Sequence, residues 1–370
     1  MLTFLFPKAI IWVRKPNYKI GSGYQLRKKL YEISYFEIVL CMLVVLIHVL
    51  SECLETYRPQ SLQAAVSFYV SRSATFCVPA FIISSGIKMF NKFKTERLDY
   101  TSFIKSRITK IYFPYALWIT VYYLYFVLYA HYFEFSIKSL LYYILLGHIA
   151  APFYFVVVIM QFYLLMPLWL YVCKKLPAMP TVFACIVITV ISDLLLKNIP
   201  NYDRLFLKYL CYFIIGGQIG LNYNAFLSRL KKHKSAIVIT ALLFTLIYVT
   251  LAYFEYLNIF RSTVTELMKM PFCIFSSLAC LSLMPNRESK IVNTLSQTTY
   301  YIYLIHCLIV THINMILTNL GVISVTKRLI IRFAAVYSLS IILTLCYVLL
   351  KKHFNKNGSH NIPKYRSLID

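Results

Sequence analysis

Two ionisable residues stand at opposite ends of one apolar run. His48 lies deep in Ile38–Leu50, and Glu37 immediately precedes that run. Ionisable groups inside a membrane-crossing segment are costly, and they face a bundle interior or a water-filled cavity. An imidazole titrates near working pH, so His48 marks a place where protons could be handled. About three helical turns separate the pair, so both point from one face and stand about 16 Å apart along the axis. Such a pair, at two depths of one helix, suggests a site that runs through a bilayer.

Further polar residues join this pattern. His48 and Glu52 are at i, i+4 and share a face. Arg72 stands in Phe68-Tyr-Val-Ser-Arg72, at about the same depth. Together they could form a polar cluster; the plainer reading is that Glu52 and Arg72 neutralise each other at the interface. A second histidine, His306, falls mid-span in Ser296-Gln-Thr-Thr-Tyr300-Tyr-Ile-Tyr303-Leu-Ile-His306. A lone intramembrane His can be satisfied by a backbone carbonyl, but two with Arg72 and Glu37 favour a functional site. Gln161 is a mid-span amide that needs a partner. Arg107 and Lys110 form a basic helix end before Pro114, able to hold phosphate or simply to anchor the chain. The ten cysteines show no metal-ligand spacing, and no structural disulfide is expected. No phosphate loop and no repeat are visible.

The elements that must position these residues follow from composition. The 370 residues are 60% hydrophobic and only 14% charged, and the mean hydropathy is +0.67. A soluble domain needs more polar surface. Recurrent apolar runs of about 20 residues predict an all-α, polytopic helical membrane protein. Ten spans are expected, over 33–54, 66–89, 110–130, 153–173, 181–197, 205–223, 236–254, 267–284, 297–317 and 329–350. Ile137–Gly147 is too short to span and is expected to lie at the interface or re-enter. Pro79 is expected to kink the second span, and Gly86 to permit close backbone approach.

Orientation follows from Lys and Arg. With both termini cytoplasmic, 27 of the 38 fall in inner segments. That explains the net charge of +25 without nucleic acid; basic inner loops suit anionic lipid headgroups. The expected organisation is a basic arm (1–32), a membrane domain (33–350) and a basic tail (351–370). The arm carries no evident signal peptide and could include an interfacial helix. The short outer loops leave no room for an appended soluble domain. The 32 Tyr and 27 Phe fit interfacial belts, and Tyr122, Tyr123, Tyr125 and Tyr129 need no ligand to explain them.

The ordered set of patterns resembles the acyltransferase-3 family of integral membrane acyltransferases. The resemblance rests on the first-span motif ending at His48, Phe81–Gly86, Arg107–Tyr115 and His148–Phe155 with Tyr163 and Pro167. Gly216-Gly-Gln-Ile-Gly220 and Ser296–His306 complete it. It covers residues 33 to about 350. Within the family, Phe68–Arg72 and Phe155–Phe162 are similar to the branch concerned with poly-N-acetylglucosamine, described both as exporters of that polymer and as its O-acyltransferases.

The resemblance implies a multi-pass protein of the bacterial plasma membrane. It would move an acetyl- or succinyl-type group from a cytosolic acyl-CoA-type donor to a hydroxyl of a cell-surface glycan. The donor is a co-substrate, with no cofactor held permanently and no metal; a polysaccharide synthase is a further partner it allows. It implies a catalytic set of His48, His306, Arg72 and Glu52. His48 would be general base, His306 a second base or transient acyl acceptor, and Arg72 an oxyanion or acceptor contact. Glu37, Ser85, Arg107, Lys110, His148 and Gln161 would contact substrate. In one position the chain departs from the family, which carries an Arg near the cytoplasmic end of the first span where this chain has Glu37. An Arg can hold a phosphate or carboxylate and a Glu cannot. Either Arg107 or Lys110 takes that role, or the donor differs, or activity is lost. The alternative function is export of the polysaccharide without acylation, which needs a continuous polar lumen.

Overall fold

The computed structural model describes residues 30–260 and 263–358. Most of the expected basic arm (1–29) and the end of the tail (359–370) lie outside the described residues. All regular structure described is helical, as the hydropathy pattern predicts: α1 Tyr31–Thr56, α2 Leu62–Ser73, α3 Cys77–Phe93, α4 Tyr100–Tyr129, α5 Ile137–Leu146, α6 Tyr154–Leu164, α7 Met166–Lys175, α8 Ala178–Leu196, α9 Leu210–Leu221, α10 Tyr223–Lys232, α11 Lys234–Tyr256, α12 Thr263–Leu283, α13 Lys290–Leu295, α14 Thr299–Asn319 and α15 Val325–Gly358. One π-helical turn, Ile108–Tyr112, interrupts α4 and a second, Tyr125–Tyr129, ends it.

Eight of these helical stretches, with α2 and α3 taken as one, are long and apolar enough to cross a membrane. The α5–α6 pair, bent by 58°, makes nine. Ten spans were expected, and the difference lies at 205–223. There the apolar helix is short, Phe206–Leu221, and every residue from Leu210 to Gly220 is buried. A helix wrapped by protein, not lipid, need not match the bilayer thickness. The segment 137–147, expected to re-enter or lie at the interface, is the first limb of the bent pair. Gly147 makes that bend, with φ +69°, and a Cβ there would lie 2.8 Å from the Phe153 carbonyl carbon.

The centre of the bundle is the contact of α3 with α9. Gly86 faces the Phe213 carbonyl at a distance that a Cβ would close to 2.5 Å, and Gly216 and Gly220 face the Ile83 and Ile87 carbonyls. Small residues on both helices let the backbones touch. Because Ile83 meets Gly216 and Ile87 meets Gly220, the two helices run in the same direction. By contrast, α4, α8, α11 and α15 expose apolar side chains, among them Leu117, Leu195, Leu246 and Ile342. Those faces suit lipid.

The segments expected inside meet one another. Lys231 pairs with Glu32 at 3.4 Å, and Lys174 reaches the Phe93 carbonyl at 2.5 Å. At the opposite face Tyr253 and Tyr256 donate to the carbonyls of Pro59 and Leu54, at 3.1 and 2.9 Å. The face where α1 begins is called inner below, following the Lys and Arg distribution. The kink expected at Pro79 takes the form of a break at residues 74–76 between α2 and α3. Pro79 has no N–H, so the Thr75 carbonyl has no donor four residues on.

Candidate active site

The two histidines meet. His48 on α1 and His306 on α14 have ring centroids 5.2 Å apart, at 50°. His306 is fully buried. Its Nδ1 stands 3.0 Å from the Ile302 carbonyl. A carbonyl only accepts, so Nδ1 carries the proton and Nε2 is left as an acceptor. Nε2 faces the Cys307 thiol at 3.4 Å. The ligand atoms of His48, His306 and Cys307 lie within 4.8 Å of one another, a set that could hold a cation. Spacing along the chain could not reveal it, because α1 and α14 are far apart in sequence.

His48 opens into an outer cavity of about 270 Å³. The break after α2 brings Arg72 and Thr75 into its wall. Among the described residues Arg72 has no ion-pair partner, and its guanidinium stacks over Phe68 at 5.1 Å. Asp193, Lys208, Glu266 and Lys269 complete the charged lining. Tyr202 donates to Asp193 at 2.9 Å. Sequence reading missed these four as site residues. The signal was present, since Asp193, Lys208 and Lys269 each sit inside an expected span, where charge marks function.

Glu52 does not face this cavity or Arg72. It pairs with Arg328 at 2.7 Å and with Arg332 at 2.6 Å, both from α15. Arg332 is fully buried and also reaches Asn314 at 3.5 Å. The expected Glu52–Arg72 neutralisation is therefore corrected: the two arginines on one face of α15, at i, i+4, claim the carboxylate. Glu52 fastens α15 to α1 and lies outside both cavity linings.

An inner cavity of about 260 Å³ is lined by Glu37, Ser85, Lys88, Lys110, Tyr163 and Tyr300, among others. Glu37 accepts from Ser84 at 2.6 Å and pairs with Lys88 at 2.5 Å. Ser85 shares a hydrogen bond of 2.7 Å with Tyr163. Lys110 sits on the π-helical turn, which Tyr300 caps by donating to the Ile111 carbonyl at 2.7 Å. Arg107 lies behind the wall, between Phe103 and Tyr163 at 4.9 and 5.0 Å. Its Nε is buried without a hydrogen-bond partner. Lys88 was not picked from the sequence, where it read as one of many inner-loop cations. With Lys88 neutralised by Glu37, Lys110 leaves this lining with a net positive charge.

His148 and Gln161 lie outside both cavity linings. Gln161 donates to the Arg204 carbonyl at 2.6 Å and accepts from the Phe206 N–H at 3.1 Å. His148 contacts Asn201 at 2.7 Å and Arg204 at 2.9 Å, and stacks on Tyr142. Their polar atoms are occupied in holding the 201–206 turn. This placement corrects the expectation of direct substrate contact: tertiary partners satisfied the mid-span amide and the loop imidazole.

The two cavities lie on either side of one aromatic group. Phe81, Phe155 and Tyr303 belong to the walls of both. The arrangement can seat one reactant at each face, with an imidazole pair near their meeting point.

The sequence is similar to those of known proteins. The chain is 22% identical over 309 residues to the probable poly-beta-1,6-N-acetyl-D-glucosamine export protein of Staphylococcus aureus (strain MSSA476), covering 77% of this chain and 83% of that one. A Staphylococcus epidermidis protein of the same name is 22% identical over 304 residues, covering 77% and 82%. No solved structure matches. The acyltransferase-domain family of the acyltransferase-3 type matches residues 30–351; the chain, a multi-pass bacterial membrane protein, belongs to that family of acyltransferases.

Proposed function

We propose that the protein is an O-acyltransferase that moves a small acyl group from a cytosolic acyl-CoA-type thioester to a hydroxyl of a cell-surface polysaccharide. The single observation that carries this reading is the pair of cavities meeting beside His48 and His306. The inner cavity, with Lys88 and Lys110, suits the anionic donor. The outer cavity, with carboxylates, amines and phenols, suits a polyhydroxylated acceptor.

In this reading His48 takes the proton of the acceptor hydroxyl as its oxygen attacks the thioester carbonyl. The C–S bond breaks, an ester forms, and the leaving thiolate takes up the same proton, returned from His48 directly or by way of the His306 Nε2 beside it. Arg72 is the charged donor nearest in kind to what a developing oxyanion requires. Lys88 and Lys110 take the part that an Arg at position 37 plays in the family, and Glu37 orients Lys88.

The relatives' printed name favours a second reading, export of the polymer. A conduit needs a continuous polar lumen, and three aromatic side chains stand between the two cavities. That observation favours transfer over export. The test is acyl transfer by the purified full chain in proteoliposomes, given an acyl-CoA inside and a β-1,6-linked N-acetylglucosamine oligosaccharide outside. Transfer by the wild type, lost in His48→Ala, supports the reading; equal transfer by His48→Ala removes it.

A further inference from the structure

We infer that Phe81, Phe155 and Tyr303 form an aromatic gate that admits the linear acyl arm of the donor and sets the size of acyl group transferred, while excluding the glycan. The inference rests on the acyltransferase reading above and names what controls passage between its two cavities.

These three residues alone among the described residues line both cavities. Their rings stand in contact: Phe81 to Phe155 at 6.0 Å between centroids, and Phe155 to Tyr303 at 5.9 Å. Phe155 and Tyr303 meet edge to face at 69° and Phe81 and Phe155 are tilted at 55°, both at separations where aromatic rings pack against one another. Charge for the donor lies on the inner side, at Lys88 and Lys110, whereas His48 lies on the outer side. Glu37 and His48 are about 16 Å apart along α1. A donor held by its charged end therefore has to pass its thioester through the rings to reach the base.

The three rings are not equally fixed. The Tyr303 hydroxyl donates to the Pro152 carbonyl, and its ring rests 6.3 Å from His306 and 6.2 Å from Tyr300. It is the fixed post. Phe81 and Phe155 have no polar atom to anchor them, and both are only partly buried. Phe155 sits on the first turn of α6, directly after the 58° bend. Rotation about its side-chain bonds breaks only dispersion contacts, each worth a fraction of a kcal/mol. A slot between flat rings takes an unbranched chain edge-on, and a pyranose ring is too thick for it. The gate thus separates chemistry on one acyl arm from movement of a polysaccharide.

The experiment uses the full chain in proteoliposomes with acetyl-, succinyl-, butyryl- and octanoyl-CoA inside and the same oligosaccharide outside. Passage of a small fluorescent anion is measured in parallel without donor. Phe155→Ala is expected to raise octanoyl relative to acetyl transfer at least tenfold and to let the anion through; Phe155→Trp is expected to favour acetyl over succinyl. Phe155→Leu, closer in volume, controls for folding and is expected to fall between wild type and Phe155→Ala. Unchanged acyl selectivity in both Phe155→Ala and Phe81→Ala, with vesicles still tight, overturns the gate and leaves the transferase intact. If the wild type transfers no acyl group at all, the transferase reading falls, and the anion readout alone decides whether the rings are the barrier.

Discussion

Glu37 and Lys88 form an ion pair of 2.5 Å across α1 and α3, inside the inner cavity. The carboxylate that breaks the family pattern therefore stands beside a cation that the pattern does not require. Ser84 shares the same carboxylate oxygen at 2.6 Å. The local sum of charge resembles what a single Arg on α1 would give once Lys110 is included.

Lys88→Gln should then raise KM for the acyl-CoA donor about 10- to 150-fold with little change in kcat, since one charge-assisted contact is worth about 1.5–3 kcal/mol. Glu37→Gln should act in the opposite direction, lowering KM by freeing Lys88. Initial rates over a donor titration check both; equal KM values for all three proteins would separate this pair from donor binding.

His48 and His306 should behave as a unit. Each single alanine variant is expected to lose about 10²–10⁴-fold in transfer rate. The double variant should lose little more than either alone, because groups acting together are non-additive. Single-turnover transfer in vesicles measures it. A double variant whose loss is the product of the two single losses would mean independent roles.

Glu52 is expected to matter for stability. Arg332 is fully buried against it, and removing one partner of a buried pair costs about 3–5 kcal/mol. Glu52→Gln should lower the thermal midpoint by leaving Arg332 buried without a carboxylate, and adding Arg332→Met should recover part of the loss, because Arg328 keeps its bonds to Thr318 and the Val322 carbonyl. Thermal unfolding in detergent reads this. Wild-type activity per folded molecule in the double variant is expected; a normal midpoint with abolished transfer would return Glu52 to the reaction.

The three-ligand set of His48, His306 and Cys307 predicts inhibition by a thiophilic cation. Added Zn²⁺ should occupy both imidazoles and block transfer, and a chelator should restore it. Cys307→Ser should weaken the inhibition while keeping transfer. Dose curves for the two proteins give the answer, and identical curves would place zinc elsewhere.

The membrane class of this chain was legible from residues taken a few at a time. Apolar runs longer than about 18 residues have no stable alternative to a buried or lipid-embedded helix, and Lys and Arg then give the orientation. His48 and His306 stood out because polarity inside such a run is expensive wherever it occurs, whereas Ser85 was named only through the family resemblance and Lys110 as part of a basic helix end. Pairing was beyond that reach. That Glu52 joins α15, that Gln161 holds a turn, and that Lys88 answers Glu37 depends on which helices touch. Helices within a membrane are all similarly apolar, so hydropathy does not choose their neighbours. Close backbone contact does, at Gly86, Gly216 and Gly220, and so do a few polar bonds between helices distant in sequence. The sequence by itself determined a helical membrane protein with costly histidines; only the tertiary packing decided that they meet, with His48 on the wall of an outer cavity that shares three aromatic rings with an inner one.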